Sequence, residues 1–251
     1  MQATDNLIAQ PAFRKARQQE KQDLVLRFLR QHLWSSQLIL QSVLGLASRQ
    51  ATHKTLKQMA ELGLIKTHIY EALGGKITLW GITINGQALA FNIESEEMVK
   101  AYFEPSRISE QNIRHQLDLQ KLRVVAERNG WSDWQDGDRL GGLGKNAKRP
   151  DAIANDKPGL KVAIECERSF KAGRRYEQIL LNYLKIIKAG DVSKVIWVCP
   201  TNDFAKRLEV LIKSIKSLKV AGQTIQIEPE KHHKNIYFCS YADWPNYHEP
   251  N

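Results

Sequence analysis

The residues best suited to chemistry lie between positions 148 and 171. A short run ends in Asp151, and a second run, apolar enough to be a buried strand, ends in Glu165 with Glu167 two residues later. At the period of a β-strand, the carboxylates of Glu165 and Glu167 point the same way. Burying ionised carboxylates is costly unless a cation or strong donors compensate them. Three acids that converge beside Lys171 therefore predict a divalent-metal site. The alternative is a surface hairpin with charged edges, and the apolar run argues against it.

Carboxylate oxygens are hard ligands, so the cofactor that they favour is Mg²⁺ or Mn²⁺. A glycine-rich basic loop precedes the acids and carries Lys145, Lys148 and Arg149. Its spacing is not that of a phosphate-binding P-loop, so we predict no nucleotide site there. We expect its cations to contact the backbone of a nucleic acid beside Asp151.

The balance of charge favours a polyanionic partner. Lysine and arginine number 37 against 27 aspartate and glutamate, which gives a net charge of +10 over 251 residues. Nucleic acid ranks ahead of a membrane because no basic helix is apolar enough to insert. No apolar run reaches the roughly 20 residues that cross a bilayer, and residues 1–10 hold no signal core.

The three cysteines, Cys166, Cys199 and Cys239, each lie within a predicted strand, and none belongs to a CxxC motif. We interpret them as buried and reduced, and as neither zinc ligands nor disulfides. Together with the polar N-terminus, they predict a cytoplasmic protein without membrane insertion.

The N-terminal part has the pattern of a winged helix-turn-helix. The predicted elements are helices at 11–31, 35–44 (with Ser35 as its N-cap) and 48–62, strands at 65–72 and 76–82, and a short helix at 83–92. Three helices followed by a two-stranded wing suit this DNA-binding fold. The alternative is a small helical domain used for packing or dimerisation.

One face of the third helix is basic and rich in hydrogen-bonding groups, which favours DNA binding over that alternative. The side chains that we expect to contact phosphates or base edges there are Arg49, Gln50, Thr52, His53, Lys54 and Lys57. Further predicted DNA contacts are Lys76 in the wing and Arg174 and Arg175 after the acids.

The remainder predicts a mixed sheet flanked by helices, of α/β or α+β class. Its elements are a helix at 109–129, a strand at 131–140, the two acid-bearing strands, a helix at 174–188, a strand at 193–199, a helix at 204–218, and strands at 224–227 and 236–240. The strand at 193–199 is almost entirely apolar, as in a strand covered on both faces. We place the domain boundary near residue 105, which gives domains 1–105 and 106–251.

In this order of elements the chain resembles the PD-(D/E)xK nuclease superfamily, whose restriction-endonuclease-like core is αβββαβ. More narrowly, the winged pattern followed by R-P-D, E-x-E-R-S-x-K and R-Y-x-x-I-L-x-x-Y is similar to the replication-relaxation proteins and the MobC-type relaxases of mobilisable plasmids. The resemblance covers nearly the whole chain. Its most specific part is 149–183.

The resemblance implies a role for each acid. Asp151 matches the motif aspartate and Glu165 the motif glutamate, which are the two metal-binding acids. Glu167 stands where the family has lysine, so either Lys171 supplies the cation or Glu167 is a third metal ligand. His115, on the helix before the first strand, is a further candidate for the catalytic site.

The implied function is a metal-dependent endonuclease that nicks one DNA strand at a plasmid transfer origin for conjugative mobilisation. Its expected partners are double-stranded DNA with that origin, an accessory mobilisation protein and a coupling protein. Two alternatives remain: a DNA-binding replication or transcription regulator with an inactive nuclease fold, and a double-strand-cutting endonuclease. Tyr176 and Tyr183, two helical turns apart, are predicted to be packing residues or DNA contacts, and not nucleophiles.

Overall fold

A computed structural model describes residues 11–72, 75–91, 101–139, 149–220 and 222–247. The chain divides into two compact units, 1–120 and 121–251. Both contain helices and strands, so the mixed α/β class expected from the sequence is confirmed. The sequence placed the boundary near residue 105, ahead of a long helix. In the structure that helix, Glu110–Arg128, crosses the division between the units.

The first unit pairs a helical part with a three-stranded antiparallel sheet of order β1-β3-β2. Its elements are α1 (Pro11–His32), β1 (Trp34–Ser36), α2 (Gln37–Val43), α3 (Arg49–Glu61), β2 (Ile65–Ala72), β3 (Gly75–Ile82), α4 (Ile84–Leu89) and the start of α5 (Glu110–Arg128). Every residue of β2 has a partner in β3, from Ile65 opposite Ile82 to Ala72 opposite Gly75. Residues 73 and 74, between the two strands in the sequence, lie outside the described ranges.

Local signals explain where α2 and α3 begin and end. The hydroxyl of Ser48 accepts a hydrogen bond from the amide of Ala51 and caps α3. Gly63, with a φ of +69°, adopts the left-handed conformation that follows the helix. The predicted cap of α2 at Ser35 is wrong, because Ser36 caps it instead. Ser35 is buried in β1.

The second unit is built on a five-stranded mixed sheet of order β10-β7-β6-β5-β4. Its elements after α5 are β4 (Ser132–Asp136), β5 (Ala152–Asn155), β6 (Lys161–Cys166), α6 (Gly173–Lys188), β7 (Lys194–Cys199), α7 (Asn202–Lys213), β8 (Ser217–Val220), β9 (Gln223–Gln226), α8 (Pro229–His232) and β10 (Ile236–Ser240). The pairs β4–β5 and β5–β6 are antiparallel, whereas β6, β7 and β10 run parallel to one another.

Two predicted elements end differently in the structure. The helix predicted to reach residue 218 stops at Lys213, and the following residues form the hairpin β8–β9. This hairpin is a separate two-stranded sheet and does not join the main one. The strand predicted at 131–140 is shorter, because a 3₁₀ turn, Gly137–Arg139, follows Asp136.

One face of the main sheet carries the core that positions the candidate site. Val195, Trp197 and Cys199 of β7 alternate toward α6 and α7, and Ala163 of β6 joins them. Every residue of β7 is buried, so the prediction of a strand covered on both faces is confirmed. The three cysteines are buried, as expected, and their thiols are free. Within the described ranges, no helix has the length and apolar character that crossing a bilayer requires.

Candidate active site and nucleic-acid interface

Glu165 occupies a buried position on the sheet face that packs against α6. Ala163 on the same strand belongs to the core beneath α6, and Glu165 lies two residues later on the same side. The Glu165 side chain is 3% exposed, and the hydroxyl of Tyr183 donates a hydrogen bond to its Oε1 atom. The helix therefore supplies a donor to a carboxylate that burial would otherwise penalise.

Asp151 reaches the same region from the neighbouring strand. Ala152 pairs with Ile164 across the antiparallel ladder, so one further step along it brings Asp151 opposite Glu165. The Oδ2 atom of Asp151 accepts a hydrogen bond from the amide of Cys166 at 2.9 Å. Asp151 is half-buried, whereas Glu165 is fully enclosed. Two carboxylates thus converge from adjacent strands on one face of the sheet.

Glu167 lies just beyond the end of β6, where its amide still donates to the carbonyl of Val198 at 3.1 Å. Its side chain is 3% exposed, and the ammonium group of Lys171 contacts both of its carboxylate oxygens. The amide of Lys171 also donates to the hydroxyl of Tyr176 at 3.1 Å. The ammonium group of Lys171 therefore pairs with Glu167.

The two tyrosines of α6 are buried, and each meets one glutamate. Burial is the main cause that raises the pKa of Tyr183, and the charges of Glu165, Asp151 and Glu167 raise it further. Burial likewise raises the pKa of Tyr176 to about 12, and Glu167, its hydrogen-bond partner, adds to the shift. Both hydroxyls therefore stay protonated at neutral pH and act as donors. All three carboxylates act electrostatically on Tyr183, so the acids singled out in the sequence do come together.

The three acids Asp151, Glu165 and Glu167 do not form a three-ligand metal site. In the part of the chain that the structure describes, no group of three or more His, Cys, Asp and Glu side chains could hold a metal ion. Glu167 is engaged by Lys171 and does not act as a third ligand in this arrangement. Mg²⁺ and Mn²⁺ accept one or two carboxylates and complete their shells with water and phosphate oxygens. The carboxylates of Asp151 and Glu165 fit this mode of binding, in which the protein supplies two ligands and water or phosphate supplies the others.

His115 is half-buried in the portion of α5 that belongs to the first unit. The acids lie in the second unit.

The predicted DNA face of α3 is largely exposed. Arg49, Gln50, His53, Lys54 and Lys57 all face solvent. The Nδ1 atom of His53 lies 3.3 Å from the side-chain oxygen of Gln37, and its ring meets the ring of Trp80 edge-on. Together these residues form an exposed basic and polar strip along the helix.

Thr52 does not belong to that strip, and its predicted exposure is wrong. It has no exposed surface, and its hydroxyl donates to the carbonyl of Ser48 at 3.1 Å. Thr52 lies one helical turn before Leu56, on the face that α3 buries.

The other predicted DNA contacts vary in setting. Lys76 is exposed and forms an ion pair of 3.1 Å with Glu71 across the hairpin. Arg149, Arg174 and Arg175 are exposed. Lys145 and Lys148 lie outside the described residues.

Sequence reasoning missed that Tyr176 and Tyr183 serve the glutamates. The crossover helix runs antiparallel to β6, so the later tyrosine meets the earlier glutamate. Their spacing of two helical turns was the one available signal, because it places both on the buried face of α6.

Comparisons with protein-family models, curated proteins and solved structures find no match to this chain.

Proposed function

We propose that this protein is a metal-dependent DNA endonuclease that nicks one strand at a plasmid transfer origin. The observation that carries the proposal is the convergence of Asp151 and Glu165 from adjacent antiparallel strands on one face of the sheet. The order of α5, β4, β5, β6, α6 and β7 is compatible with the αβββαβ core of PD-(D/E)xK nucleases. Strongly perturbed titratable groups, such as Tyr183, are concentrated at functional sites.

Each residue has a defined task in the proposed site. Asp151 and Glu165 hold the cation, and Tyr183 orients the Glu165 carboxylate. Lys171 neutralises Glu167, and the exposed Arg149 contacts a DNA phosphate beside Asp151. When bound, Mg²⁺ or Mn²⁺ lowers the pKa of a water molecule and stabilises charge on the scissile phosphate.

The first unit supplies the proposed DNA-recognition module. Its order of α1, β1, α2, α3, β2 and β3 is compatible with a winged helix-turn-helix, in which α3 would be the recognition helix and β2–β3 the wing. An accessory mobilisation protein and a coupling protein are the further partners that the function entails.

A nicking assay tests the proposal. Supercoiled plasmid that carries the cognate origin should become open circles with Mg²⁺ or Mn²⁺ and stay supercoiled with EDTA. Asp151→Asn and Glu165→Gln should abolish the reaction. Glu177→Gln, a charge-matched change at an exposed position of α6, should not. A linear product would instead indicate a double-strand-cutting enzyme.

A second function is favoured by one observation, the ion pair that removes Glu167 from a three-acid metal site. In this alternative the protein is a DNA-binding replication or transcription regulator with an inactive nuclease core. Tight origin binding without cleavage under any metal condition would support it.

The recognition helix has its own test. Reversing the charges of Arg49, Lys54 and Lys57 should weaken origin binding, because phosphate contacts are lost. The slope of log K against log salt should fall by about 1 for each contact removed. The control reverses three exposed lysines of the second unit, Lys157, Lys161 and Lys219, with an equal change in net charge. Equal gel-shift affinity for the two variants would refute the assignment of α3.

A further inference from the structure

A groove on the second unit is separate from both proposed sites. It lies between α6, the hairpin β8–β9 and the segment 231–235, and has a volume of about 700 Å³. Its floor is aliphatic and is formed by Leu181, Leu184, Ile187, Leu218, Ile225 and Ile227. Ile225 is 45% exposed, so part of this aliphatic surface is open to solvent. We call this feature the α6–hairpin groove.

The rim of the α6–hairpin groove is basic. Lys185 and Lys188 extend from the last turns of α6, and Lys231 and Lys234 stand on the opposite side. All four are exposed, and none of the described residues that line the groove is acidic. Lys231 has a neighbour in Glu228 at 3.8 Å, a solvent-exposed pair that holds the lysine only weakly.

These two properties restrict the chemistry of an occupant. An aliphatic floor selects apolar side chains, and a ring of lysines selects carboxylates around them. Single-stranded nucleic acid is disfavoured, because the described part of the lining contains no Phe, Tyr or Trp on which bases could stack. Grooves beside helices and strands are a recurring setting for the binding of extended or helical peptides.

We propose that the α6–hairpin groove binds an acidic peptide segment of a partner protein, with its apolar side chains on the floor and its carboxylates on the lysine rim. The site is independent of the nuclease proposal, since its lining residues belong neither to the carboxylate cluster nor to the α3 face.

A peptide array probed with the full-length protein tests this directly. The array holds peptides in which Leu and Ile recur at helical or at strand spacing among Asp and Glu residues, each beside a version with Lys in place of the acids. The acidic versions should bind, and the lysine versions should not. Affinity for the best acidic peptide should fall as salt is raised.

Variants then locate the binding. Ile225→Glu should weaken peptide binding at least tenfold, because it places a negative charge on the aliphatic floor, where it repels the acidic peptide. The pair Lys185→Glu and Lys188→Glu should do the same and should reduce the salt dependence. Two controls should bind as the wild type does: Val210→Glu on α7 and Lys219→Glu on the same hairpin, both exposed and outside the lining. Circular dichroism checks that each variant remains folded.

Several results would overturn the proposal. They are equal binding of acidic and lysine peptides, wild-type affinity in both groove variants, and competition by single-stranded DNA but not by acidic peptide. Stronger retention on anionic vesicles than on any peptide would show a membrane-facing surface instead.

Discussion

The two ends of the five-stranded sheet bury charge in different ways. At the lysine end, where β6 begins, the ammonium of Lys194 lies 2.9 Å from the carboxylate of Asp156, with both side chains under 9% exposed. Burial lowers the pKa of Lys194, but hydrogen bonds to Asp156 and to the Tyr247 hydroxyl raise it, and the net shift is upward. At the carboxylate end, where β6 finishes, Asp151 and Glu165 come together with Glu167.

The comparison separates a structural ion pair from a candidate catalytic site. The lysine end matches one acid to one base. At the carboxylate end three acids raise the pKa of a single hydroxyl, that of Tyr183. Concentrated negative charge of this kind favours a bound cation, whereas an ion pair already has its own. Changes at the carboxylate end should therefore alter activity, and changes at the lysine end should alter stability.

The largest expected effect is on DNA nicking. Asp151→Asn keeps an acceptor for the Cys166 amide and removes the charge, so folding should persist while activity falls at least about 10³-fold. Asp156→Asn, the matched change at the lysine end, should leave kcat/KM within about threefold at a temperature where the variant is folded. Plasmid-nicking kinetics on both variants make the measurement, and an equal loss in the two would erase the distinction.

The next effect is on stability. Lys194→Met leaves Asp156 buried without its lysine, which should lower the free energy of unfolding by about 3 kcal/mol or more. Adding Asp156→Asn should recover most of that loss, because the uncompensated charge is then gone while an acceptor for the Leu160 amide remains. Urea denaturation of the single and double variants measures both numbers. A single variant as stable as the wild type would show that the pair contributes nothing.

A smaller effect distinguishes the two tyrosines of α6. Tyr183→Phe removes the donor that orients Glu165 and should weaken Mn²⁺ binding by about 10-fold to 100-fold. Tyr176→Phe acts on Glu167, which Lys171 already neutralises. This change should alter the affinity for Mn²⁺ by less than about threefold. Calorimetric titration with Mn²⁺ provides the comparison. The reverse ranking would point to Glu167 as the ligand.

The smallest effect concerns pH and the lysine end of the sheet. Burial, with the charges of Lys213, His232 and Lys216, lowers the pKa of His233, whose ring nitrogens have no hydrogen-bond partner among the residues that the structure describes. The unfolded chain then binds a proton at His233 more readily than the folded chain does. The contribution of neutral His233 to stability is therefore fully present above about pH 6.5 and is lost as the pH falls toward the lowered pKa. The slope should not exceed about 1.4 kcal/mol per pH unit.

His233→Phe should flatten this limb of the stability curve. Denaturation from pH 7 to pH 5 tests it, with exposed His68→Phe as the control. A limb that persists in His233→Phe would assign the titration to another group.

Strong local signals made part of this structure predictable. The apolar runs of β7 and β10 fixed those strands closely, and Ser48 and Gly63 marked the ends of α3. The three residues of β1 carry no such signal, because their pairing with β3 is a tertiary contact. Thr52 was misassigned although its spacing to Leu56 places it on the buried face. The polar side chain of Thr52 suggests an exposed position, whereas its helical spacing places it in the core.

The candidate site divides in the same way. The convergence of Asp151 and Glu165 follows from strand order and motif. The partner of Lys171 does not follow, because only the path of the chain before α6 decides that its ammonium reaches Glu167. The ion pair of Asp156 and Lys194 could not be predicted from the sequence either, because it joins a turn to the start of a strand that is distant in the chain.

The central claim is that Asp151 and Glu165 bind a divalent metal, and a crystal soaked in Mn²⁺ tests it most directly. The account predicts an anomalous peak in contact with both carboxylates, with Lys171 still on Glu167, and no peak in Asp151→Asn. A peak between Glu165 and Glu167 with Lys171 displaced, or no peak at either pair, would contradict it.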